Sequence, residues 1–179
     1  MRYRRSFVPG GTFFFTANLA DRSSHLLTQH IDLLRSAVRR VKAAHPFEIV
    51  ALVVLPDHLH AIWEMPPGDC DYPLRWALIK AGFSRGLTTG EGIGPARARK
   101  RERGIWQRRY WEHQIRSHAD LARHVDYIHF NPVKHGHVDA PAEWPYTSMH
   151  RIVRQGLLPP DWAGAGKRNP GNSGYGERG

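Results

Sequence analysis

The run Phe47-Glu48-Ile49-Val50-Ala51-Leu52-Val53-Val54-Leu55, then Pro56-Asp57, then His58-Leu59-His60-Ala61-Ile62-Trp63-Glu64-Met65, constrains the fold of this chain more than any other stretch. The first segment is nearly continuous apolar β-former and Pro56-Asp57 is a turn signal, so the two segments predict a hairpin or a neighbouring strand pair. Alternate residues of a strand point to the same face, about 6 to 7 Å apart. His58 and His60 therefore share a face on which both imidazoles can hold one divalent ion, while Leu59 faces a core. Taken alone, such a pair reads equally well as two satisfied or solvent-facing histidines.

Other elements follow from pattern. Thr12-Phe13-Phe14-Phe15-Thr16-Ala17-Asn18-Leu19, after a Gly10-Gly11 turn, is the expected first strand. Ile31, Leu34, Val38 and Val41 recur at helical steps, predicting an amphipathic helix from about Gln29 to Ala44, ended by Pro46. A second helix is expected from about Pro73 to Gly86, with Leu74, Leu78 and Ile79 inward and Arg75 and Lys80 outward. Strand, helix, strand, strand, helix opens a ferredoxin-like split βαβ arrangement. The expected class is α+β, an antiparallel sheet with helices on one face.

Residues 88–109 break the periodicity with glycines at 90, 92, 94 and 104 and seven basic side chains between Arg97 and Arg109, which predicts a mobile basic loop. Tyr110 to Arg116 suits a short fourth strand. Ser117 then caps a helix with Asp120 in a capping-box position, and Leu121, Val125 and Ile128 form its apolar stripe. Pro132 is expected to end that helix at Asn131 or just before. A final short helix runs to about Gln155. One domain over 1–163 and a disordered tail over 164–179 complete the expected organisation.

Twenty-six Lys and Arg against 16 Asp and Glu give this 179-residue chain a formal charge of +10, which favours a polyanionic partner, nucleic acid foremost. No stretch approaches the roughly 20 apolar residues of a spanning helix and none reads as a signal peptide, so a cytoplasmic protein without membrane contact is expected. The single Cys70 cannot form an internal disulfide, in keeping with a reducing compartment.

Tyr127 lies off the Leu121, Val125, Ile128 stripe, with Asp120, Arg123, His124 and Asn131 three, four or seven positions away, and so is expected on a polar face exposed to a ligand. Asn131, about 6 Å further along the axis, can bring a carbonyl oxygen toward the same metal. His58, His60 and Asn131 would supply two nitrogens and one oxygen, a set suited to Mg²⁺ or Mn²⁺ with zinc also open. Asn131 also suits a plain helix end, and a helical tyrosine more often packs than reacts. Arg97, Arg99, Lys100, Arg101, Arg108 and Arg109 can hold phosphates, and Trp106, Tyr110 and Trp111 offer faces to unpaired bases, with core packing an equal reading for Trp106 and Trp111. His113, His129, His135 and His137 are taken as structural or surface residues.

Taken together, Pro9 to Thr16, Pro56-Asp57-His58-Leu59-His60, Trp106-Gln107-Arg108-Arg109-Tyr110-Trp111-Glu112-His113 and Asp126-Tyr127-Ile128-His129-Phe130-Asn131-Pro132-Val133-Lys134-His135-Gly136 resemble the REP-associated tyrosine transposases, single-tyrosine HUH endonucleases. The likeness runs from Tyr3 to about Gly164. It implies His58 and His60 as metal ligands, Asn131 as a further ligand, and Tyr127 as a nucleophile on a helix of the C-terminal half. It further implies single-stranded hairpin DNA as substrate, a 5′-phosphotyrosine intermediate, a monomer and no small-molecule cofactor. Lys134, inside the last motif, joins the expected DNA-binding residues. The stretch Thr89 to Arg103 is longer and more basic than the resemblance leads one to expect. Two other readings stay open: a non-catalytic hairpin-binding protein, and a metal-dependent phosphoesterase in which water attacks.

Overall fold

The computed structural model describes residues 6–88 and 103–162. In chain order it contains β1 (Thr12–Asn18), α1 (Leu26–Gln29), α2 (Ile31–Ala44), β2 (Glu48–Val54), β3 (His58–Glu64), α3 (Tyr72–Gly86), β4 (Trp111–Gln114), α4 (His118–Lys134), a 3-10 turn (Pro141–Glu143) and α5 (Met149–Arg154). The four strands form one sheet in the order β2-β3-β1-β4, and every neighbouring pair is antiparallel. This is the order of a split βαβ unit, and the α+β class read from the sequence stands.

The hairpin at Pro56-Asp57 is closed by the Leu55 N–H donating to the His58 carbonyl at 2.8 Å. Pairing then sets which side chains meet. Phe14 lies opposite Ile62, Thr16 opposite His60 and Asn18 opposite His58, while Phe13, Phe15 and Ala17 lie opposite Trp63, Ala61 and Leu59. With a side-chain period of two, the first set shares one face and the second set the other.

The second face carries the larger core. Trp63 stacks on Trp76 of α3 at 4.4 Å and packs on Phe47 at 4.3 Å and Phe15 at 4.9 Å. Leu34 and Val41 of α2 and Ile79 and Phe83 of α3 complete it. Each such side chain contributes roughly 1.5 to 3 kcal/mol on burial, enough to fix α2 and α3 against this face. The opposite face, with Phe14, Ala51, Val53 and Ile62, is covered by Tyr127 and Ile128 of α4. The expectation of helices on one face is thus corrected. It holds for α2 and α3, but the polar-looking α4 lies across the other side.

Other expectations change as well. In α3 the orientation is reversed at the first turn: Leu74 is 39% exposed and Arg75 only 2%. Arg75 is drawn in by acceptors outside its helix, donating to the His45 and Pro46 carbonyls and to both carboxylate oxygens of Asp69. The first predicted helix is α2, starting at Ile31, and the short α1 precedes it, ending where the predicted range begins. Pro132 does not end α4, which continues to Lys134. The stop comes from Gly136, whose φ of 71° favours glycine, with the His137 N–H closing onto the Pro132 carbonyl.

The basic segment read as a loop to 109 is also shorter than expected. Residues 89–102 lie outside the described residues, but Ile105 and Trp106 are buried and Leu19 forms a β-bridge with Trp106. The final helix is confined to Met149–Arg154, and the predicted tail over 164–179 lies outside the described residues.

Candidate active site

Two strands, β1 and β3, and one helix, α4, build the site. His58 and His60 project from β3 toward α4, both buried, with ring centroids 5.0 Å apart and planes at 82°. Each ring is pinned through Nδ1. The His58 Nδ1 donates to the Asp57 carboxylate at 2.8 Å, and the His60 Nδ1 shares a hydrogen bond with Thr16 Oγ1, directly across the sheet, at 2.8 Å. That fixes both rings with the Nε2 atoms buried, and His58 Nε2 has no hydrogen-bond partner among the described residues. Burial lowers the pKa of His58 and pushes that of His60 well below the usual imidazole value, with nearby cationic groups adding to the effect. Neutral imidazoles with a lone pair on Nε2 are what a metal ligand requires.

Tyr127 meets this pair from α4, its ring centroid 5.2 Å from that of His60. Phe14 wedges beside both, 5.5 Å from His60 and 6.1 Å from Tyr127. The expectation that Tyr127 is exposed is corrected, since it is 1% exposed. The inner stripe of α4 is Asp120, His124, Tyr127, Ile128 and Asn131, a largely polar set. The predicted stripe does pack on the sheet, with Ile128 fully buried and Leu121 and Val125 half-buried at its edge, but the buried arc extends past it to the polar residues. Asn131, fully buried, follows Tyr127 by one turn on this inner side. Lys134 folds back so that its Nζ donates to the Tyr127 hydroxyl at 3.1 Å.

Two groups at the site escaped the sequence reading. The His135 ring lies 5.1 Å from that of His58, and burial together with neighbouring cationic groups lowers its pKa to about 4. The other is Arg22, whose Nε donates to the Asp57 carboxylate at 2.9 Å. His135 falls inside the Asp126–Gly136 motif but reads there as a structural or surface residue, and Arg22 carries no local motif. Both are brought in by chain reversals after Lys134 and after β1.

A second polar group sits one turn before Tyr127. His113, Asp120 and His124 place ligand atoms within 4.8 Å of one another and can hold a metal ion. The Asp120 carboxylate is already engaged by His113 Nε2, the Arg116 N–H and Arg123, while His124 Nδ1 donates to the Asp120 carbonyl. As it stands the group clamps the Ser117-capped start of α4 to β4. Burial works against the Asp120 carboxylate, but the donors from His113 and Arg116 outweigh it and hold its pKa at about 2.

The expected DNA-binding residues separate. Arg108 and Arg109 are exposed. Trp106 is buried, its ring edge-on to Phe83 and covered by Lys80, so core packing is the reading that holds for it. With Lys80, Arg85, Arg103 and Arg108, Trp106 lines a cleft of about 530 Å³ beside α3. Arg97, Arg99, Lys100 and Arg101 lie outside the described residues.

No family model matches the chain. It is, however, 47% identical over 163 residues to a Haemophilus influenzae protein named putative REP-associated tyrosine transposase, covering 90% of this chain and 93% of that one. It is 48% identical over 162 residues to the Escherichia coli REP-associated tyrosine transposase, covering 90% of each. Its fold matches the solved structure of a REP-associated tyrosine transposase bound to a REP hairpin, with a TM-score of 0.85, 46% identity, and 99% and 98% of the two chains covered. The chain belongs to the family of REP-associated tyrosine transposases.

Proposed function

We propose that this transposase, an enzyme that nicks and rejoins DNA, acts on single-stranded DNA folded as a REP-like hairpin, with Tyr127 as the nucleophile and His58, His60 and Asn131 as ligands of a divalent ion. The observation that carries the reading is the meeting of Tyr127 with two neutral, Nδ1-anchored histidines in one buried site. The donor set of two imidazoles and one amide oxygen fits Mg²⁺ or Mn²⁺. When bound, such an ion orients the scissile phosphate and offsets charge that builds on attack.

The chain's own groups do the rest. The Tyr127 Oη attacks phosphorus, its phenolic proton departs, and the bond from phosphorus to the 3′ oxygen breaks, releasing a 3′-hydroxyl and leaving a 5′-phosphotyrosine. The phosphodiester energy is kept for attack by another 3′ end. Lys134 stands on the oxygen that gives up the proton and later becomes the leaving group. Arg108, Arg109 and the basic cleft beside α3 supply positive surface for the backbone flanking the stem, joined by Arg97, Arg99, Lys100 and Arg101 from the segment before them. A monomer in the cytoplasm suits this reading.

A denaturing gel tests it. Single-stranded hairpin substrate labelled 3′ of the cut, incubated with Mn²⁺, is expected to leave label on the protein for the parent and none for Tyr127→Phe, while both bind the hairpin. Cleaved DNA with no labelled protein would make water the nucleophile and overturn the assignment.

A further inference from the structure

Resting on the metal reading above, we infer that Asp57 and Arg22 are positioning residues that hold His58 as a ligand, so that the affinity of the site for its ion depends on an Arg22–Asp57–His58 relay. Asp57 sits in the two-residue turn before β3, and its two carboxylate oxygens are divided between partners. One accepts from His58 Nδ1 at 2.8 Å and the other from Arg22 Nε at 2.9 Å. Arg22 also donates to the side-chain oxygen of Asn18, the residue directly opposite His58 in the sheet. The backbone tightens the same unit, because the Leu19 N–H donates to the Asp57 carbonyl at 2.8 Å and the Leu27 N–H to the Pro56 carbonyl at 3.1 Å. Asn18, Arg22, Asp57 and His58 thus form a closed circuit across the end of β1 and β3.

The chemistry follows from what each group can donate. An ionised carboxylate only accepts, so the proton of neutral His58 resides on Nδ1 and the lone pair on Nε2, the buried atom turned toward the site. The negative charge behind the ring makes Nε2 a stronger donor to a cation, and Arg22 keeps the carboxylate aimed along the ring. His60 is held differently. Its Nδ1 partner is the neutral hydroxyl of Thr16, which fixes orientation without adding charge. The two ligands are therefore unequal, and the relay makes His58 the stronger one.

The test is a Mn²⁺ titration of the full-length protein, read from the free-ion paramagnetic resonance signal, with melting temperature in EDTA and hairpin affinity as controls. Asp57→Ala is expected to weaken Mn²⁺ binding by about 10- to 100-fold while hairpin affinity and the metal-free melting temperature stay near those of the parent. Asp57→Asn, which keeps an acceptor oxygen but no charge, should lose less and carries the test if the alanine variant does not fold. Arg22→Ala should fall between Asp57→Asn and the parent. Unchanged Mn²⁺ affinity in Asp57→Ala or Asp57→Asn overturns the relay. Mn²⁺ binding by the parent that His58→Ala and His60→Ala leave intact places the ion elsewhere, which refutes the metal reading itself and the relay with it.

Discussion

Lys134 and Tyr127, two turns apart on the inner side of α4, form a direct pair: the ammonium donates to the phenol oxygen at 3.1 Å and lies 4.8 Å from the ring centroid. Partial burial lowers the Lys134 pKa. A cation held on this oxygen favours the phenolate over the phenol, and in the proposed reaction it stands where negative charge would appear as a phosphotyrosine bond is made or broken. The sequence places Lys134 among the expected DNA-binding residues, and its position against Tyr127 suits it to a role in the proposed chemistry as well.

For Lys134→Met the expected outcome is a cleavage rate about 10²-fold lower or less, within the range of proton-handling groups, with hairpin affinity reduced by no more than one phosphate contact. Lys134→Arg should recover part of the rate. Single-turnover cleavage on a pre-bound hairpin separates the two effects, and an equal loss in binding and rate would leave Lys134 a DNA-binding residue alone.

Asn131 and the two histidines should differ in severity. A neutral amide oxygen is a weaker ligand than imidazole and water can replace it, so Asn131→Ala is expected to keep measurable cleavage at raised Mn²⁺, whereas His58→Ala and His60→Ala lose it. Cleavage as a function of Mn²⁺ concentration checks this. Full cleavage in EDTA by the parent would remove the metal from the mechanism.

The alternation in β1 and β3 was readable because every second residue changes face, and it correctly separated Leu59 from its two histidine neighbours. The Ser117 cap was readable because capping is local, and its hydroxyl does accept from the Asp120 N–H. What failed was non-local. Pattern alone exposes Tyr127 because α4 lines its inner stripe with Asp120, His124 and Asn131, and the first two meet His113 of β4, a contact that the helix does not reveal. Arg75 seemed exposed because its acceptors come from residues 45, 46 and 69. A buried polar group needs companions, and pattern within one helix cannot reveal them.

Arg75 therefore makes a stability prediction. Removing it leaves the His45 and Pro46 carbonyls and the Asp69 carboxylate at the base of α3 without their shared donor, and losing hydrogen bonds from a charged group costs about 1.5 to 3 kcal/mol. Asp69 is partly exposed, so the lower end is expected for Arg75→Ala. Arg75→Lys should restore little, because an ammonium cannot reproduce the planar fork. Denaturant unfolding reads the effect, and a change under 1 kcal/mol would contradict it.

Asp120 gives a pH prediction. Its folded pKa is depressed from 3.8 to about 2, so its contribution is fully present above pH ~4 and is lost as pH falls toward 2. The shift corresponds to about 2 kcal/mol. Asp120→Asn should be less stable at neutral pH by an amount of that order and should fall less steeply between pH 4 and 2. Parallel acid-unfolding curves for the two proteins would show that the clamp of His113, Arg123 and Asp120 does not stabilise the start of α4.

The basic residues before β4 make the last prediction. Seven cationic side chains fall between Arg97 and Arg109, and Arg108 and Arg109 are exposed beside the cleft lined by Lys80 and Arg85. If they hold phosphates, each contact releases counterions, so the logarithm of affinity falls with the logarithm of salt by about 0.7 to 0.9 per contact. Changing Arg97, Arg99, Lys100 and Arg101 to Ala should weaken binding to hairpins of different sequence alike and flatten that slope, and the Arg108→Ala, Arg109→Ala pair should do the same more modestly. Discrimination between hairpins should survive, because phosphate contacts position a strand without reading its bases. Equilibrium binding across a salt series measures both quantities at once. An unchanged slope in the fourfold variant would reduce 97–101 to a linker, while a loss confined to one hairpin sequence would make these residues readers of bases.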